Sequence, residues 1–134
     1  MNTFAQRILA SSSTTAAFSA KDLDRVAAYL KEVLGPWDRT IDNRGSGQTI
    51  VWGKKLKGGF RVTLVYLPNA DEMEITVADT VDKFGDDWTG DAGDTKSLKK
   101  AFVEMLDDHI DNLGDEARAK EMAPYLKKAK STPI

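Results

Sequence analysis

The sequence predicts an α+β domain: an N-terminal helix, a four-stranded antiparallel meander, and two C-terminal helices packed on one face of the sheet. Three observations predict it. Apolar residues recur at helical spacing near the start and again in the last third of the chain. Between those regions the period drops to two. Short turns containing Gly, Asn and Pro separate the period-two runs. The 134 residues suit one domain, and a chain of this length can bury roughly two-thirds of its unfolded surface. The pattern divides into a flexible arm over residues 1–18, a single domain over 19–130 and a frayed C-terminus over 131–134.

Each element has its own signal. Leu23, Val26, Ala27, Leu30, Val33 and Leu34 mark a helix over 20–34. Ser19 suits its cap, with Asp22 near the positive end of the dipole. Gly35 and Pro36 end it. Ahead of it, the serines and threonines of Ser11 to Thr15 read as a flexible arm. Trp37, Arg39 and Ile41 then alternate with Asp38, Thr40 and Asp42, a first strand. Asn43 to Gly47 has turn chemistry. Gln48 to Leu56 carries Ile50, Val51 and Trp52, which favour strand. Gly58 and Gly59 turn the chain. Phe60, Val62, Leu64 and Tyr66 share one face of a third strand, with Val65 and Leu67 making its other face apolar in part, as in a central strand. After Pro68 to Asp71, the residues Met73, Ile75 and Val77 face one way and Glu72, Glu74 and Thr76 the other. Leu98, Ala101, Phe102, Met105, Leu106, His109, Ile110 and Leu113 define an amphipathic helix over 95–113, capped by Asp94 or Thr95 and ended by Gly114. Asp115 caps a last helix in which Pro124 is expected to kink or split the backbone.

Composition narrows the chemistry. Hydrophobic residues make up 41% and charged residues 30%, as in ordinary soluble domains. No apolar run is long enough to cross a bilayer, so no membrane partner is expected. Arg7-Ile8-Leu9-Ala10 is broken by serine and threonine too soon for a secretory leader. With no cysteine there are no disulfides, thiolate ligands or thiol nucleophiles, and a cytoplasmic setting is the expectation.

Recognised site motifs fail one by one. An EF-hand register from Asp87 puts Thr89 at position 3, Ala92 at 6 and Leu98 at 12, against the carboxylate, Gly and Glu required. Gly53 to Gly58 is followed by Gly59 and Phe60 rather than Lys and Ser or Thr, and Gly45-Ser46-Gly47 does not continue into a dinucleotide fingerprint. His109, the one histidine, lies on the apolar side of its helix and reads as a core-edge residue, because a general base needs a nucleophile and an orienting group. No cofactor, metal or catalytic residue is assigned. A carboxylate pair is recognised by its separation in space, which sequence does not supply.

Charge layout is the informative feature. Residues 1–70 hold ten basic and five acidic side chains, residues 71–116 four and fifteen, and residues 117–134 five and one. The net values are +5, −11 and +4. Segregation of this kind shapes association more than fold. Its densest part is Gly85 to Asp94, GDDWTGDAGD, which reads as an acidic loop: a linker to the next helix first, a partner-facing patch second, a cation site third. The expected function is that of a non-enzymatic adaptor or inhibitor, docking a protein with a basic surface through an acidic surface that can imitate a phosphate backbone. Its candidate residues are Asp82, Asp86, Asp87, Trp88 and Asp91, with Glu104, Asp107, Asp108 and Asp111 on the helix. Trp88 would serve as an aromatic anchor. The alternative is single-stranded nucleic-acid binding through the sheet of residues 37–67, by Arg39, Arg44, Lys54, Lys55, Lys57 and Arg61 with Trp37, Trp52 and Phe60 stacking on bases. A homo-oligomer held by opposite patches is a third partner class.

Overall fold

The computed structural model describes residues 11–42, 50–67 and 70–134. The expected turn at Asn43 to Gly47, with Arg44, lies outside them, as do Pro68 and Asn69. Helix α1 (Ser11–Leu34) leads into β1 (Arg39–Asp42), β2 (Ile50–Lys55), β3 (Phe60–Leu67), β4 (Glu72–Asp79) and β5 (Phe84–Asp91). Helices α2 (Thr95–Asp111) and α3 (Glu116–Ser131) follow. The strands form one antiparallel sheet in the order β1-β2-β3-β4-β5. The architecture is the expected α+β meander with one addition. The acidic stretch is a fifth, edge strand, not a loop, in register with β4 from Glu72↔Asp91 to Asp79↔Phe84.

The sheet has one dry face. On β3 every residue from Phe60 to Tyr66 in steps of two is buried, and on β4 Met73, Ile75, Val77 and Asp79 are. These side chains meet Leu23, Val26 and Leu30 of α1, Leu98, Phe102 and Leu106 of α2, and Met122 and Ala129 of α3 in one core. The intervening residues are half-buried or exposed, and none of the described helices covers the opposite face.

Two local expectations are corrected. Helix α1 is already formed at Ser11, so it starts before residue 20 and Ser19 is not its cap; residues 1–10 of the expected arm lie outside the described residues. Ala16, Ala17 and Ala20 favour helix. Asp22 therefore sits inside the helix, buried beside Arg25 at 3.2 Å, rather than at a helix start. Pro124 does not split α3, which is continuous through it. It lies on the exposed side, where water can take up the carbonyl that proline leaves unbonded. At the chain end the Lys99 ammonium donates to the Thr132 carbonyl at 2.7 Å, and Ile134 packs on the core. One turn earlier, Tyr29 donates to the Ala129 carbonyl at 2.6 Å, and burial pushes the Tyr29 hydroxyl pKa up.

One polar cluster fixes how the helices meet the sheet. The Asp79 carboxylate, with its side chain 0% exposed, receives the Arg118 guanidinium at 2.7 Å. The same oxygen accepts the backbone N–H groups of Val81 and Asp82 at 2.9 and 3.1 Å, which shapes the β4–β5 turn. Arg118 also donates to the Gly58 carbonyl at 2.8 Å and lies over the Phe60 ring. Gly58 is needed there, because a Cβ would run into the Met122 side chain. Burial alone would push the Asp79 pKa up, but the Arg118 hydrogen bond and the two backbone donors outweigh it and hold the carboxyl below its usual value.

Removing the guanidinium would leave a buried carboxylate without its cation. Arg118→Ala is expected to cost about 3–5 kcal/mol, read by urea unfolding at neutral pH. A carboxyl with a lowered pKa stabilises the fold above the unfolded pKa, and that contribution is lost as pH falls through the folded value. Wild type should therefore lose stability below about pH 4, and Arg118→Ala should lose less over the same range.

Candidate partner-binding surface

Strand β5 carries the acidic stretch because hydrogen bonding to β4 holds it there, not because its own side chains favour strand. The register sorts its residues onto two faces. Asp86 shares the helix-side face with Val77, and Trp88 with Ile75. Asp87 shares the open face with Thr76, and Asp91 with Glu72. This alternation explains why these carboxylates do not converge. Among the described residues no three acidic or histidine side chains are placed to hold a metal ion.

Trp88 is not the exposed anchor that the sequence suggests. It is half-buried and packs against the core, and its indole lies over Gly90, where a Cβ would collide with the ring. The exposed apolar side chains of this region are Val81, 59% exposed, and Phe84, 44% exposed. Both flank the β4–β5 turn, in a stretch read as loop, where no periodicity marks them. His109 is buried at the core edge, with its ring 5.7 Å from Phe60 and 5.0 Å from Phe84.

The helix acids form a ridge. Glu104, Asp108 and Asp111 follow one another at i, i+4 and i+7 and are exposed, while Asp107 beside them is half-buried. Helix α2 packs against β5 and β4, so the ridge is on the helix side of the sheet with Asp86, while Asp87 and Asp91 face the other way. Among the described residues, none of Asp86, Asp87, Asp91, Glu104, Asp107, Asp108 or Asp111 forms an ion pair; the pairs present are Asp22–Arg25, Asp38–Lys54, Asp79–Arg118 and Asp82–Arg118. Asp82 thus stands apart, sharing Arg118 with Asp79 at 3.5 Å. On the open face the crowding is direct. Burial, then hydrogen bonding and charge from Asp87, push the Glu74 pKa up.

The basic candidates divide differently. Arg39, Lys55 and Arg61 are on the open face, because Arg39 pairs with Gly53, Gly53 with Thr63, and Lys55 with Arg61. Lys54 is on the other face, 3.5 Å from Asp38, and Lys57 is in the β2–β3 turn. Trp52 and Phe60 are buried in the core, and Trp37 is half-buried, 6.4 Å from Trp52. Their rings point away from the open face, so the described residues offer no base-stacking platform there. No helix among the described residues is long and apolar enough to cross a membrane.

No protein family, curated protein or solved structure matches the chain.

An acid with a raised pKa destabilises the fold once it ionises, so this penalty is absent below the unfolded pKa and grows as pH rises through the folded one. Glu74→Gln is expected to raise stability at pH 7 by up to about 1 kcal/mol. The gain should vanish as pH falls below about 4, where Glu74 is protonated in the folded and the unfolded chain alike. Chemical denaturation of the two proteins at both pH values reads the difference.

Proposed function

We propose that this protein is a non-enzymatic binding module, an adaptor or inhibitor, which docks a protein with a basic surface on the side formed by β5 and α2. The observation that carries this reading is the set of carboxylates there that have no cation from the described residues of the chain. Asp86 comes from the helix-side face of the strand, and Glu104, Asp108 and Asp111 from the helix ridge. Repeated negative charge on two rigid elements gives a basic groove several contacts at fixed spacing, much as a phosphate backbone does.

Helix energetics support a functional reason for these acids. Glu104 and Asp108, and likewise Asp107 and Asp111, are like charges one turn apart, which destabilises a helix by a few tenths of a kcal/mol per pair. Asp107, Asp108 and Asp111 also lie near the negative end of the helix dipole, where cations are preferred. The last turn offers only His109 as a basic residue. Residues that break a local rule are expected at functional or strained sites. Phe84, exposed next to Asp86 in space and sequence, supplies the apolar contact that the sequence reading gave to Trp88. The nucleic-acid alternative lacks this support, because the aromatic residues it needs lie in the core or against it.

Replacing Asp108 and Asp111 with lysine should have opposite effects on stability and binding. Stability is expected to rise by about 0.5–1 kcal/mol, measured by urea unfolding. Basic proteins that co-purify with the wild type at low salt should be lost with Asp86→Lys/Asp108→Lys/Asp111→Lys, as read by affinity purification from the native host with mass spectrometry. An unchanged set of co-purifying proteins overturns the reading.

A further inference from the structure

The open face of the sheet is self-complementary, and we infer that two copies of this chain pair face to face across it about a two-fold axis. Strand register alone places the charges. The row through the sheet centre runs Arg39, Gly53, Thr63, Thr76, Asp87. Two residues along in one direction lie Ile41, Val51, Val65, Glu74 and Thr89, and beyond them Leu67, Glu72 and Asp91. Two residues along in the other direction lie Lys55, Arg61, Ala78 and Gly85. The cations Arg39, Lys55 and Arg61 therefore occupy one corner of the face, and the acids Glu72, Glu74, Asp87 and Asp91 the corner diagonally opposite. The other diagonal is uncharged, running from Ile41, Val51 and Val65 through Thr63 and Thr76 to Ala78 and Gly85.

This layout defines the occupant. With strands about 4.8 Å apart and about 3.4 Å per residue, the two charged corners are on the order of 15 Å apart. That exceeds the Debye length of about 8 Å at physiological salt, so the corners do not neutralise each other within one chain. Turning a second copy about an axis along the uncharged diagonal brings each cationic corner over an acidic one. The half-buried Ile41, Val51 and Val65 then lie along the axis, where no charge is desolvated. Strands of the two sheets cross at a steep angle, close to the orthogonal arrangement that packed sheets adopt. The contact is isologous and closes at two copies. Asp87 and Asp91 lie at the junction with the β5–α2 side, whereas the α2 ridge is left free on both copies, so the dimer presents that ridge twice.

Sedimentation velocity at about 0.05 M and about 1 M salt tests the pairing. Wild type is expected to be a dimer at low salt and to dissociate as salt rises. Arg39→Glu/Arg61→Glu and Glu74→Lys/Asp87→Lys should each raise the dimer Kd at least about tenfold. Mixed in equal amounts, the two variants should form a heterodimer, because both corner contacts become complementary again. Circular dichroism confirms that each variant is folded before mixing. A wild type that is monomeric at every salt concentration, variants that dimerise like wild type, or a mixture that stays monomeric would each overturn the proposal. Asp108→Lys/Asp111→Lys separates it from the docking function: that variant should keep the dimer whether or not it loses basic partners.

Discussion

Asp79 and Arg118 bring three distant pieces of chain to one point, and the remaining architecture is arranged around them. The carboxylate closes the β4–β5 turn through the Val81 and Asp82 amides, while the guanidinium holds the β2–β3 turn at the Gly58 carbonyl. Arg118 belongs to α3, so the pair also sets where that helix crosses the sheet, and Met122 then fits against Gly58. A buried ion pair is seldom favourable on balance, since desolvation offsets most of its attraction. What it contributes here is placement. The turn sets where β5 begins, and pairing with β4 along its whole length, with Trp88 packed on the core, sets its register. The acidic strand is thus positioned by its neighbours, not by the strand preference of its own residues.

That dependence explains what could be read in the sequence and what could not. The helices were legible because their apolar residues recur every three or four positions and must all reach one core. The strands β2 to β4 were legible because alternate residues face that core. β5 was not, because an edge strand packed on one side needs few apolar residues, and this one supplies only Phe84 and Trp88, with glycines and aspartates between them. Those residue types favour turns in isolation, and pairing with β4 overrides the preference. Two consequences followed: the strand count came out at four, and Trp88 was taken for a surface residue although it lies opposite Ile75. The start of the first helix and the contacts of the chain end are illegible for a related reason. Small and polar residues at Ser11 to Thr15 and at 131–134 carry weak signals of their own, and contacts from other elements, such as Lys99 to Thr132, are invisible to a local reading.

The segregation of charge along the chain was legible as a count, but its meaning depends on the pleat. In sequence, Asp86 and Asp87 are neighbours with one apparent role. In the sheet they lie on opposite faces, one on the helix side and the other beside Glu74. Within the block of fifteen acids between residues 71 and 116, the strand and ridge acids therefore divide into a helix-side group and an open-face group. The basic block divides in the same way, with Arg39, Lys55 and Arg61 on the open face and Lys54 turned to Asp38. Because strand pairing interleaves the two blocks, the open face holds both signs, whereas the outer side of β5 and α2 holds mainly one.

The edge position of β5 bears on how such surfaces can be used. An unpaired strand edge offers a row of free N–H and C=O groups to any other strand, and proteins commonly block this with charge. Asp86, Asp87 and Asp91 do so here: a second β5 laid alongside would bring like charges together, which is costly at cross-strand distance. Edge-to-edge pairing of two copies is thus disfavoured by these side chains, of which Asp86 also faces the side proposed for a basic partner. The open face has no such conflict, since its two signs lie at opposite corners and its middle is uncharged. Physical chemistry therefore separates the two uses, with contact between copies through the sheet face and recognition of a basic protein through side chains of the β5 edge and the α2 ridge.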